Sequence, residues 1–181
     1  MNILSEILGS GNQQTISNIA RQMGMSEQEA QRGLAGVLPS LMKGMKNNVS
    51  TADGERALLD AIERGDHSRY LDNNFEYSDQ AAVDDGNGIL GHLLGGKDRS
   101  REVATQASEA TGLSSGLLKK LLPIAATVLM GTLGRKQSGG LLGSLLGGGQ
   151  AKKSSGLMGL LDFDNDGSIA DDVFKLAMKF F

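Results

Sequence analysis

The residues best suited to chemistry stand near the end of the chain, in Asp162-Phe-Asp-Asn-Asp-Gly-Ser-Ile-Ala-Asp-Asp172. Asp162, Asp164 and Asp166 followed by Gly167 reproduce the D-x-D-x-D-G opening of an EF-hand-type calcium loop. Carboxylates at alternating positions can converge on one cation, and the glycine permits the sharp turn after which the Ser168 carbonyl supplies a ligand. Ile169 falls at the usual apolar anchor position. The next ligand position is Ala170, which leaves its place to water, and Val173 stands where a bidentate glutamate belongs. Asp171 and Asp172 arrive one or two residues early and substitute only in a tighter loop. The expected ligand set is therefore Asp162, Asp164, Asp166, Ser168, Asp171 and Asp172. Such an incomplete set holds calcium weakly, with a Kd of roughly 10⁻⁵ to 10⁻³ M. In the competing reading Asp-Asn-Asp-Gly is a turn, Ser168 caps a helix, and Asp171 and Asp172 favour its positive end.

Other chemistry is thinly represented. The absence of cysteine removes disulfides, thiol catalysis and Cys-type zinc sites. His67 and His92 are the two histidines, and with no clustered partners each is expected to pack or lie on the surface. Gly91-His-Leu-Leu-Gly-Gly96-Lys97 satisfies G-x-x-x-x-G-K, but Asp98 follows where a P-loop needs Ser or Thr. With no Ser/His/Asp set and no histidine pair, the expected protein is not an enzyme. Residues 19–32 offer a helix-turn-helix reading, and a DNA-binding protein is the alternative function. That reading is opposed by Glu27 and Glu29 at the start of the second helix, where Arg32 is its one arginine.

The elements that must carry these residues are helical. The 181 residues are 39% hydrophobic and only 4% aromatic, so a core must be built from Leu, Ile, Met and Ala. No long stretch alternates apolar and polar side chains, and the expected fold class is all-α. The first residues, MNILSEILGSG, lack a basic region and cleavage site, and a cytoplasmic protein is expected. The longest apolar run, Leu121 to Leu133, is expected to be too short to span a bilayer. Integral membrane association is thus not expected. Net charge is −3 and uneven: 71–96 carries five acids and no base, whereas 97–136 carries seven bases against three acids. No segment has the basic stripe of a nucleic-acid binder.

Two stretches look related. In 16–45 and 103–133 a helix ends at a glycine, followed by an apolar residue and a serine: Gly24-Met25-Ser26 and Gly112-Leu113-Ser114. Each glycine suits the residue after a helix, each serine suits the cap of the next, and Ser26 with Glu29 forms a capping box. Leu38-Pro39 and Leu122-Pro123 are read as the next shared mark, with each proline starting or kinking the helix that follows. The spacing between the two marks differs by four residues.

ILGHLLGG (89–96), TGLSSGLLKKLLPIAATVLMGTL (111–133), a Gly/Leu linker and the terminal DFDNDGSIADDV together resemble the bacterial YidB-like family of uncharacterised proteins. The resemblance implies an all-α fold and no established activity. The expected organisation is an N-terminal helical unit (1–70), an acidic solvated connector (71–88) and a second helical unit (89–136). A Gly/Leu-rich linker (137–158) and a calcium-type loop with an amphipathic helix (159–181) follow. Leu141, Leu142, Leu145 and Leu146 would share one face of a short helix. Ile169, Val173, Leu176, Ala177 and Phe180 likewise recur at helical spacing. The functional expectation is a non-catalytic binding or self-assembly module, a homo-oligomer through its Leu-rich faces or a binder of another protein, with a weak calcium-binding loop. A structural helical domain without a ligand is a further alternative.

Overall fold

The structure, a computed structural model, describes residues 3–138. Among them are seven α-helices, two short 3₁₀ turns and no strand, in agreement with the all-α expectation. The helices are α1 (Ile3–Leu8), α2 (Gln13–Met23), α3 (Glu27–Val49), α4 (Ala52–Arg64), α5 (Gln80–Leu94), α6 (Lys97–Thr111) and α7 (Ser115–Ser138). The 3₁₀ turns are Ser10–Asn12 and His67–Leu71.

Local signals set several boundaries. Gly24 and Gly112 end α2 and α6 with φ of 67° and 72°, a left-handed conformation that costs glycine little and other residues more. The Ser26 hydroxyl accepts the Glu29 N–H at 3.2 Å, while the Glu29 carboxylate accepts the Ser26 N–H at 2.9 Å. Both halves of the capping box are therefore made. Ser114 likewise accepts the Leu117 N–H at 3.2 Å at the start of α7. The expectation that each proline starts a helix is not met. Pro39 and Pro123 lie inside α3 and α7 and start neither helix. A proline inside a helix costs about 3 kcal/mol. Here the leucines on either side, Leu38 and Leu41 in α3 and Leu121, Leu122 and Leu129 in α7, are all at 0 or 1% exposure. Each such burial contributes about 1.5–3 kcal/mol, enough to carry the helix through the break.

The duplication survives with a different register. Ile16 and Ala104, Ile19 and Ala107, Leu34 and Leu122, Leu41 and Leu129, Met42 and Met130, and Met45 and Leu133 are all buried and stand 88 positions apart. Gly24 and Gly112 keep the same offset. The Leu-Pro marks do not, because both helices run unbroken: Leu38 corresponds to Ala126, and not to Leu122.

Helices α3 and α7 form the centre. Helix α7 touches α1, α3, α4, α5, α6 and the His67–Leu71 turn, and every residue from Leu121 to Leu133 is buried. Thr127 and Thr132 satisfy their hydroxyls within the helix, on the carbonyls of Ile124 and Val128. At 24 residues α7 extends beyond the apolar run at 121–133. Its Ser115–Arg135 stretch, whose most apolar window has a mean hydropathy of 1.4, is long and apolar enough to cross a membrane, but 78% of that window is buried within the fold. Neighbouring helices therefore supply the apolar surroundings that a helix hydrophobic on every side requires.

The acidic stretch 71–88, expected as a solvated connector, is docked. Asn18 Nδ2 and Gln22 Nε2 both donate to the Phe75 carbonyl, at 2.9 and 2.6 Å, and Gln22 Oε1 accepts the Ser78 N–H at 3.2 Å. The Tyr77 hydroxyl donates to the Tyr70 carbonyl, and Tyr70, Phe75 and Tyr77 stack edge-to-face at 5.1 and 5.0 Å. From Gln80 the same stretch is already α5. Unopposed acids on its outer side give it a polar composition, whereas Phe75 and Tyr77, packed with Tyr70, give it an inner side.

Candidate functional site

The six expected calcium ligands, Asp162, Asp164, Asp166, Ser168, Asp171 and Asp172, lie outside the described residues, as do the Gly/Leu linker and the 169–181 segment. Among the described residues no group of three or more His, Cys, Asp or Glu side chains could hold a metal ion. The chemistry that the structure does place lies in grooves between helices.

The first groove, about 420 Å³, opens between the end of α2, Tyr77–Ser78, α5 and the first half of α7. Met23, Val83 and Leu117 are half-buried in it, over a floor that includes Tyr77, Pro123 and Ile124. Gln22, Asn87, Lys119 and Lys120 border it. The groove therefore has apolar walls and a polar, basic border. The hydrogen bonds of Gln22 fix one side by holding the 75–78 backbone against α2. Helix α5 fixes the other by crossing α7 at Gly86, where a methyl group would sit 2.6 Å from the Pro123 carbonyl oxygen. Burial pushes the Tyr77 phenol well above its usual range, so it stays a neutral donor. Burial also raises Tyr70, whose hydroxyl donates to Asp85 at 2.9 Å beside the Arg69–Asp85 ion pair of 2.8 Å.

The second groove, about 410 Å³, lies between α3 and the α5–α6 junction and contains Lys43, Arg99, Glu102, His92 and Gln106. It shares Asn48, His92 and Leu93 with a smaller apolar pocket of about 150 Å³ under α4. The P-loop-like sequence, Gly91 to Lys97, lines this groove with His92, Leu93, Leu94 and Gly95. Its first four residues are the last turn of α5, so a helix stands where a phosphate-binding strand and loop would be needed. The α5–α6 junction is a two-residue turn, Gly95 and Gly96, at φ of 79° and 146°.

The two histidines lie in different surroundings. His67 places Nε2 2.9 Å from the Ala61 carbonyl and its ring 5.6 Å from Tyr70, while His92 is exposed. For the helix-turn-helix reading, α3 is the buried centre of the fold, with contacts to α1, α2, α4, α5, α6 and α7. Its exposed start presents Glu27, held by Gln13 at 3.0 Å, and the capping Glu29. A recognition helix needs a free face and cationic or amide side chains on it. Lys119 and Lys120, the basic pair of the second copy, border the apolar groove instead.

The groove residues Met23, Val83, Leu117 and Ile124 carried no motif. The available signal was surplus: Leu117 and Leu118 point to different sides of α7, and only Leu118 is fully buried. Comparison with protein-family models matches residues 5–137 to the family described as Bacterial protein of unknown function (DUF937), in agreement with the YidB-like resemblance. Comparison with curated proteins and with solved structures gives no match.

Proposed function

The chain belongs to that family of bacterial proteins of unknown function, and we propose that it is a non-catalytic binding module whose groove between α2, α5 and α7 receives an amphipathic helical segment. The observation that carries this reading is the groove's half-buried apolar wall, Met23, Val83 and Leu117, beside the exposed Lys119 and Lys120. An amphipathic helix laid into such a groove buries its apolar side chains at i, i+3, i+4 and i+7 and leaves its charges at the border. Rigid walls favour binding because little ordering is required of the receptor. The docked 75–78 segment and the close α5–α7 crossing supply that rigidity.

The test uses the full chain carrying Val173→Asp and Leu176→Asp, which removes the apolar stripe of its own C-terminal segment from the assay. A synthetic amphipathic helical peptide with acidic flanks is titrated while the methyl resonances of Met23, Val83, Leu117 and Ile124 are followed. The expected result is saturable shifts at these methyls, and affinity weakened about tenfold or more by Leu117→Glu, the scale of losing one well-packed anchor. Shifts spread evenly over the molecule, or affinity indifferent to Leu117→Glu, would remove the groove from the reading.

A second element rests on the acid spacing alone. Asp162, Asp164, Asp166, Ser168, Asp171 and Asp172 form a weak calcium site that draws the acidic loop closed, because three crowded carboxylates repel one another until a cation bridges them.

A further inference from the structure

We infer that the occupant of the apolar groove is the C-terminal segment of the same chain, residues 162–181, docked beside Lys119 and Lys120; this rests on the binding reading above. Three observations single it out. The first is pattern. Ile169, Val173, Leu176, Ala177 and Phe180 form one stripe at helical spacing, the shape of side-chain array that a groove walled by Met23, Val83 and Leu117 accepts.

The second is charge. Five aspartates stand between 162 and 172, immediately before and at the start of that stripe. Lys119 and Lys120 are exposed at the groove border, and neither has an ion-pair partner among the described residues. The Gly/Leu linker is a poorer candidate, since its charged residues are Lys152 and Lys153, of the same sign as the border.

The third is reach. Ser138 ends α7, and the groove faces the helix near Ile124, fourteen residues back. At 1.5 Å per residue this is about 21 Å. Thirty residues separate Ser138 from Ile169, and a glycine-rich tether of that length has a root-mean-square span of about 30 Å. Tether and target are matched in scale, the regime in which an attached segment reaches millimolar effective concentration. A second copy would need to be present at similar concentration to compete.

The chain has no cysteine, so two introduced ones label it uniquely. Spin labels are placed on Asn87→Cys, at the exposed groove border, and on Lys179→Cys, and their separation is measured by pulsed electron resonance in the full chain. The expected result is a narrow, short distance population that is unchanged on tenfold dilution. It broadens with Leu117→Glu in the groove, and equally with Val173→Asp plus Leu176→Asp, with circular dichroism checking that the helical content is kept. A broad distribution in the otherwise unaltered chain would overturn the inference, as would a short distance that disappears on dilution, since that is contact between copies. The peptide titration separates the two failures. If the synthetic peptide still binds in a Leu117-dependent way, the groove is real and only its occupant is wrong; if it does not bind, the binding reading falls as well.

Discussion

Replacing Gly86 and Gly88 by alanine, one at a time, should have clearly different effects on stability within a single helix. Both lie in α5, and alanine is the better helix former by about 0.8–1.0 kcal/mol at either position. Gly88 faces open space, with nothing within 4 Å of an added Cβ. Gly86 is buried where α5 crosses α7, and its added Cβ would lie 2.6 Å from the Pro123 oxygen and 2.7 Å from the Pro123 Cβ. Ordinary contact begins near 3.4 Å, so the helices must part by most of an ångström, and the obstacle is backbone that cannot rotate away. Overpacking of this kind costs about 1–3 kcal/mol. Gly88→Ala should therefore stabilise by close to the full propensity difference, whereas Gly86→Ala should be neutral to destabilising by about 2 kcal/mol. Because the propensity gain is common to both, the difference between the variants isolates the packing cost. Urea unfolding followed by circular dichroism measures it, with equal m-values confirming the same unfolding reaction. A difference below about 0.5 kcal/mol, within the scatter of ordinary surface substitutions, would refute the close α5–α7 crossing.

Three further outcomes are expected. Ser26→Ala removes the acceptor for the Glu29 N–H and should cost about 1 kcal/mol in the same assay, while Ser26→Asp should keep most of the stability. Burial raises the Tyr77 and Tyr70 phenols above their unfolded value near 10, so the unfolded chain releases these protons first. Stability should be unaffected by them below about pH 10 and fall above it, and Tyr77→Phe should flatten that alkaline slope in pH-dependent urea unfolding. Millimolar calcium should shift the amide resonances of Asp162 to Asp172, and Asp164→Asn with Asp166→Asn should abolish the response. An unresponsive spectrum would leave Asp-Asn-Asp-Gly as a capped turn.

Local physics wrote the helix ends into the sequence. Gly24, Gly112, Ser26 and Ser114 each act within one turn, through backbone freedom or a short-range hydrogen bond, and such signals read the same in any fold. The helical class followed from composition for a similar reason, since a chain poor in aromatic and β-branched residues has little to build a sheet with. Pro39 and Pro123 start no helix because their local cost is outweighed by burial of the leucines that flank them in α3 and α7, a burial that only packing decides. Likewise, the polar composition of 71–88 concealed the docking of Phe75 and Ser78 onto α2 through Asn18 and Gln22, contacts that span more than fifty residues, and the stacking of Phe75 and Tyr77 with Tyr70. The groove belongs wholly to tertiary structure. Leu117 and Ile124 share a helix, but Met23 and Val83 come from two others, and nothing in the order of the chain brings them to one wall. Periodicity decides which side of a helix is apolar, whereas the crossing of α5 over α7 at Gly86 decides how much of that side remains uncovered.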